Sequence, residues 1–415
     1  MKKPELLAPA GSYERARIAY LYGADAIYAG TADLSLRTRV NIDNDDFVKI
    51  VNLAKHLDKK VFAALNIYAF DADYHKVKTQ AKILNDMGVD AVILSDGGVL
   101  ETVKEYAPNV DIHISTQANT VSLETSKFWY KNGAKRIILA REMSRDKIKY
   151  IMENKPEDLE MEMFIHGAVC VGYSGRCILS NYLTGRASNQ GDCAQPCRWN
   201  YNVYIEEKNT PGKLMPVEED GRGTYILSAK DLCLIHRIPE IIEMGVESLK
   251  IEGRLKTEYY LATVVNAYRN AIDEYIADKA SWNAETYQTE LDKAMSRNYS
   301  ELFYDREDNK EIQNYDDDGR STVPYEYGAK VLEKTDDLSV LEVRNKIAVG
   351  DVMEMIVPNQ TLPEVIPVTD LYDYETKERI DVVNPGKADQ KVLMRLPEVA
   401  ENNFVIRRRK SVSSK

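Results

Sequence analysis

The chain has 415 residues, 44% of them apolar, with five cysteines and a formal net charge of −11. That length supports one large core plus a second, smaller unit, while the negative charge argues against a broad electrostatic embrace of nucleic acid, which calls for basic surface. The opening MKKPELLAPAGS lacks the unbroken apolar stretch of a signal peptide, no run reaches the length of a membrane-crossing helix, and the clustered cysteines do not make a secreted disulfide framework, so a cytoplasmic protein is expected.

From the N-terminus, short apolar runs recur at Glu5–Ala10, Ala26–Gly30, Val61–Tyr68, Ala91–Asp96, Asp111–Thr116, Arg136–Ala140, Glu160–Ile165 and Ser248–Glu252. Polar segments with apolar residues three and four apart separate them, among them Tyr13–Tyr22, Asp45–Leu57, Tyr74–Met87, Ser122–Asn132 and Lys256–Ala277. Several end at a glycine (Gly23, Gly88, Gly133), as helices commonly do. Eight such units predict an α/β fold, a closed (β/α)8 TIM-type barrel over residues 1–277; an open doubly wound sheet is the alternative. After the seventh strand the pattern is interrupted by an insertion over 168–230, which falls on the face where barrel enzymes build their active sites. Residues 278–324 read as a helical and acidic linker, eight carboxylates falling in 301–320. Strand-like alternation in 325–415, as at Ala329–Leu332, Val340–Val343, Val352–Ile356 and Lys391–Leu396, predicts a small β-barrel or sandwich. The terminal run Arg407, Arg408, Arg409, Lys410 reads as the start of a flexible basic tail.

Cys170, Cys177, Cys193 and Cys197 follow the pattern C-x6-C-x15-C-x3-C inside the insertion. Four thiols in a reducing compartment suit a soft centre, either tetrahedral zinc or an iron–sulfur cluster, and the spacing alone leaves both open. The compact cysteine triplet of radical-SAM enzymes is absent. Cys233, in SAKDLCLIHRIPEII, reads as a core residue on an apolar helical face.

The segment Glu162-Met-Phe-Ile-His-Gly-Ala-Val-Cys170-Val-Gly-Tyr-Ser-Gly-Arg-Cys177-Ile-Leu-Ser180 resembles the signature of the collagenase-like peptidases of unknown catalytic type. LAPAG (Leu7–Gly11), GADAIYAG (Gly23–Gly30), HISTQ (His113–Gln117), GDCAQPCRW (Gly191–Trp199) and KIEGR (Lys250–Arg254) extend the resemblance over residues 5–255. Within that family the sequence is most similar to members that hydroxylate tRNA, using prephenate to make 5-hydroxyuridine at the wobble position without molecular oxygen. Other members act on a 23S rRNA cytidine or hydroxylate ubiquinone, and several require an iron–sulfur cluster. The resemblance therefore implies a 4Fe–4S cluster on the four cysteines, with zinc as the alternative, prephenate as co-substrate and tRNA as partner. It leaves open whether a paralogous partner subunit takes part.

Residues just after the strands supply the candidate chemistry. Arg141, Arg176 and Arg254 are candidates for the carboxylates of prephenate, since a guanidinium forks onto a carboxylate; the alternative for each is a structural salt bridge. His113 and His166 are candidate proton carriers, with Glu162 expected on the same side of its strand as His166. Gln117 joins this catalytic set, and Asn66, Asp96 and Glu252 are candidates for holding base or donor. Aromatic rings among the 26 tyrosines, such as Tyr28, Tyr68, Tyr173 and Tyr182, are candidates for contact with a flipped base. Two other readings compete. A peptidase lacks HExxH and GxSxG motifs here but could pair Cys170 with His166, and a metal-stabilised RNA-binding module would need no chemistry at all.

Overall fold

The computed structural model describes residues 2–410 except 32–33, 36–41, 171–175, 189–190, 200–203, 207–213, 217–229, 295, 297, 306–323 and 386–389. Residues 306–323 of the expected linker, parts of the cysteine insertion and Tyr173 therefore lie outside the described residues. Eight parallel strands close into a barrel: Glu5–Ala10, Ala26–Gly30, Lys60–Ala64, Ala91–Leu94, Asp111–Ile114, Arg136–Ile138, Glu160–Gly167 and Ser248–Ile251. Each pairs with the next, and the last pairs with both the seventh and the first, which excludes the open sheet. Helices between the strands cover the outside, so the strands are buried on both faces and read as continuous apolar runs. The third run is shorter than the sequence predicts, because Leu65–Tyr68 leave the sheet as a loop over the barrel mouth.

The barrel domain continues past residue 277. Helix Ala284–Leu291 packs on helix Glu258–Ala277, and strand Tyr299–Ser300 pairs with Asp231–Cys233, which in turn pairs antiparallel with the end of the seventh barrel strand. Leu302 and Tyr304 belong to the same buried core. Cys233 is buried as expected, but in that strand and not on a helix.

Residues 325–409 form a second unit built on an eight-stranded antiparallel sheet with its own apolar core. The basic run does not begin a flexible tail. Val405–Arg409 is an inner strand of this sheet, between Tyr325–Glu333 and Val352–Ile356. Arg407 is fully buried and pairs with Glu290 of the barrel domain at 2.6 Å and with Glu354 at 2.5 Å. A guanidinium so placed is tolerated only because both carboxylates compensate it. Tyr22, also buried, donates to the Ile356 carbonyl at 2.8 Å and accepts from the Val405 amide at 2.9 Å. The two units are thus joined by buried polar contacts that hold their relative orientation.

Candidate active site

Charge fills the interior of the barrel below its mouth. Glu162, on the seventh strand, is wholly buried and accepts from Lys250 at 2.7 Å, Arg136 at 3.2 Å and Ser248 at 3.2 Å. Arg136 also reaches Glu5 at 2.5 Å and Glu160 at 2.7 Å. Burial draws Lys250 below the ordinary lysine value, against the pull of Glu162 beside it.

Above this layer opens a cavity of about 120 Å³. Lys250 forms part of its floor, with the Tyr28 ring 4.3 Å from its ammonium. Phe164 forms another wall and carries the Arg141 guanidinium 3.8 Å above its ring. Arg141 also donates to the Ala168 carbonyl at 3.2 Å and stands 3.8 Å from Glu252. The Tyr28 hydroxyl donates to Glu252 at 3.1 Å. Arg254, almost completely buried, donates to Ser35 at 2.8 Å. It reaches the cavity across Gly30, where an added Cβ would sit 1.6 Å from its guanidinium nitrogen. Asn66 donates to Ser115 at 3.4 Å, and Gln117 carries a buried side-chain oxygen with no hydrogen-bond partner among the described residues. Among the described residues the cavity is lined by Arg141, Arg254 and Lys250, the last already paired with Glu162 beneath it, and by one carboxylate, Glu252. Such a lining suits an anionic group.

Of the residues singled out in the sequence, Asn66, Gln117, Arg141, Cys170, Glu252 and Arg254 all line this cavity. Others do not, for identifiable reasons. Asp96 caps a helix: its carboxylate accepts from the amides of Gly98 at 2.8 Å and Val99 at 3.0 Å and from the Tyr74 hydroxyl at 3.1 Å. His113 points into the barrel but lies in the buried layer beneath the cavity, against Phe62. Burial, then the charges of Arg136 and Lys250, push its imidazole well below the ordinary histidine range. Arg176 is exposed and does not line the cavity.

His166 and Glu162 do not share a side. Lys250 pairs with Phe164 but Ile251 pairs with His166, so Ile165 is an extra residue in the seventh strand. This bulge turns His166 onto the outer face, among Tyr260, Tyr268 and Tyr299. Its Nδ1 lies 3.3 Å from the Tyr268 hydroxyl, and burial lowers its pKa to about 3. With Cys170 at the cavity and His166 behind the wall, the Cys–His peptidase pair is not formed. Glu162 is instead the centre of the ionic layer. Lys250 went unrecognised in the sequence, although it lies two positions before Glu252 on an alternating strand and hence on the same face.

None of the four clustered cysteines forms a disulfide; Cys170 is exposed and the other three half-buried. The donor chemistry of four thiols suits a cluster; among the described residues no three of His, Cys, Asp and Glu stand close enough to hold a metal ion as placed. Cys193 accepts a hydrogen bond from the Gln195 amide at 3.3 Å.

Residues 11–314 match the model of Peptidase family U32, and residues 324–407 match that of the Peptidase family U32 C-terminal domain. The chain is 38% identical to tRNA hydroxylation protein P of Escherichia coli, over 86% of this chain and 87% of that protein. It is 39% identical to tRNA hydroxylation protein P1 of Bacillus subtilis, over 86% and 84%. A collagenase of Porphyromonas gingivalis is 33% identical over 65% and 66%.

The buried histidines make stability depend on pH. An unfolded histidine protonates near pH 6.5, whereas His166 stays neutral in the fold until about 3. The unfolded chain therefore binds more protons below pH 6.5, and stability falls as pH falls. His166→Phe should reduce the slope of unfolding free energy between about pH 6 and about pH 5 by about 1 kcal/mol per pH unit. Denaturant titrations of both proteins measure this, and equal slopes would mean that His166 is protonated in the fold.

Proposed function

This chain belongs to peptidase family U32, and on that footing we propose that it is an RNA hydroxylase that converts a wobble uridine of tRNA to 5-hydroxyuridine with prephenate as co-substrate. The observation that carries this reading is the cavity in which Lys250, Arg141 and Arg254 converge beside the amides of Asn66 and Gln117. Two guanidinium groups, Arg141 and Arg254, suit the two carboxylates of prephenate. The amides offer both donors and acceptors to the edge of a uracil ring. The names of the E. coli and B. subtilis relatives support tRNA as the substrate. A membrane has no part in this reading, and among the described residues no helix is long and apolar enough to cross one.

Replacing C5–H by C5–OH takes two electrons from the base and requires an oxygen atom. Prephenate would accept the electrons and supply the atom, its hydroxyl passing to C5 while hydrogen takes the hydroxyl's place on prephenate, so that the base is oxidised and the co-substrate reduced by two electrons each. A 4Fe–4S cluster on Cys170, Cys177, Cys193 and Cys197 would supply the electron-transfer capacity. Because no three of the thiols stand close enough as placed, its assembly would have to bring the cysteines together around helix Leu179–Thr184, which lies between Cys177 and Cys193, as metal binding does when it is coupled to local folding. The remaining roles fall to the chain itself. Arg141 and Arg254 would fix the carboxylates, Lys250 would hold positive potential at the floor, and Phe164 would keep Arg141 oriented. Glu252, tied to the Tyr28 hydroxyl, would take the proton that leaves the ring.

Deleting the gene, in a strain without a paralogue, should remove 5-hydroxyuridine-derived nucleosides from tRNA, and the wild-type gene should restore them. Arg254→Ala should lower that hydroxylation by about 30-fold or more, the loss of a buried charged anchor of about 2 kcal/mol. An unchanged nucleoside profile in the deletion strain would end the assignment. For the cluster, serine at any one of Cys170, Cys177, Cys193 or Cys197 should abolish bound iron and sulfide after anaerobic reconstitution, while Cys233→Ser retains both. The reverse pattern, or zinc alone in the wild type, would exclude it.

A further inference from the structure

A second depression of about 470 Å³ lies on the surface. Tyr68 and Phe70 reach it from the loop after the third barrel strand, while Ile178, Asn181, Tyr182 and Ser188 reach it from the cysteine insertion. Its apolar members are unusually bare: Phe70 is 64% exposed, Ile178 68% and Tyr182 82%. Large side chains gathered in the open at one place mark a binding surface more often than a packing accident. Tyr68 joins this cleft to the charged cavity, since its hydroxyl donates to the carbonyl of Gln117 at 3.0 Å and Gln117 lines the cavity.

We infer that this cleft receives the unpaired RNA nucleotide adjoining the one being modified, its base stacked on the rings of Tyr182 and Phe70. The inference rests on the RNA reading above and names how the RNA is gripped. Nucleotides are covalently linked, so a base delivered into the charged cavity brings its neighbour to the adjoining surface. A chain of net charge −11 cannot draw its affinity from phosphate neutralisation over a broad surface. Stacking on exposed aromatic rings needs no such charge, contributes about 1–3 kcal/mol per base, and is the usual means of holding splayed loop bases. Asn181 and Ser188 add polar groups at the edge of the same cleft, where a base presents its own donors and acceptors.

The test uses the full-length protein and an anticodon stem-loop RNA with 2-aminopurine placed on one or the other side of the target uridine. Wild type should quench the fluorophore on one side. Phe70→Ala with Tyr182→Ala should abolish the quenching and weaken binding about tenfold per ring removed, while Tyr182→Phe keeps both. Circular dichroism checks that the exposed substitutions leave the fold intact. If wild type hydroxylates tRNA but the double variant binds and quenches as wild type does, the inference falls and the hydroxylase reading stands. If the double variant keeps its RNA affinity and instead loses association with a second protein chain, the cleft is a protein interface and the inference also falls. If wild type binds no RNA, both readings fall together.

Discussion

Glu162 has no solvent to stabilise its charge, and the arrangement of the site depends on how that charge is met. Lys250 and Arg136 answer it from the neighbouring strands at 2.7 and 3.2 Å, and Glu5 and Glu160 balance the rest of Arg136. A buried ion left without its partner is destabilising by about 3–5 kcal/mol, so neither Glu162 nor Lys250, each wholly or almost wholly buried, can leave the layer singly. The consequence at the mouth is a fixed cation: Lys250 closes the ionic layer below and lines the cavity above. The position of its ammonium is thereby set by the barrel wall, without dependence on mobile surface side chains.

The second unit acts on the same site from behind. Its Tyr327 donates to Glu258 at 2.8 Å and its Lys330 lies 3.3 Å from the same carboxylate, in the first turn of helix Glu258–Ala277. Two residues further on, the Tyr260 hydroxyl donates to the Glu252 carbonyl at 2.9 Å. Gly167 lets that backbone approach closely: its φ is +107°, and an added Cβ would meet the Glu252 carbonyl oxygen at 2.5 Å. The segment Glu252–Arg254 is therefore held by a chain of contacts that runs out to the C-terminal sheet. Gly30 completes the arrangement by leaving the path of Arg254 open.

Much of this was legible in the sequence. Parallel strands buried on both faces give apolar runs that stand out, so the barrel strands were located to within a few residues, and residues just beyond strand ends named most of the cavity's polar lining. What escaped was set by tertiary pairing. The bulge at Ile165, which reverses the direction of His166, exists only in the register between the seventh and eighth strands. Asp96 looked like a ligand residue because a helix cap and a ligand draw on the same residue types. The basic run at 407–410 read as solvated because its partner Glu290 lies 117 residues away in the chain. Lys250 could have been found by alternation from Glu252.

The proposed reaction oxidises an RNA base in the cation-lined cavity with a dicarboxylate co-substrate. The most direct measurement is nucleoside mass spectrometry on unmodified tRNA incubated anaerobically with the reconstituted protein and prephenate. The account predicts the gain of one oxygen atom on the wobble uridine, absent when prephenate is omitted. Unaltered nucleosides from a protein that carries its full complement of iron and sulfide would contradict it.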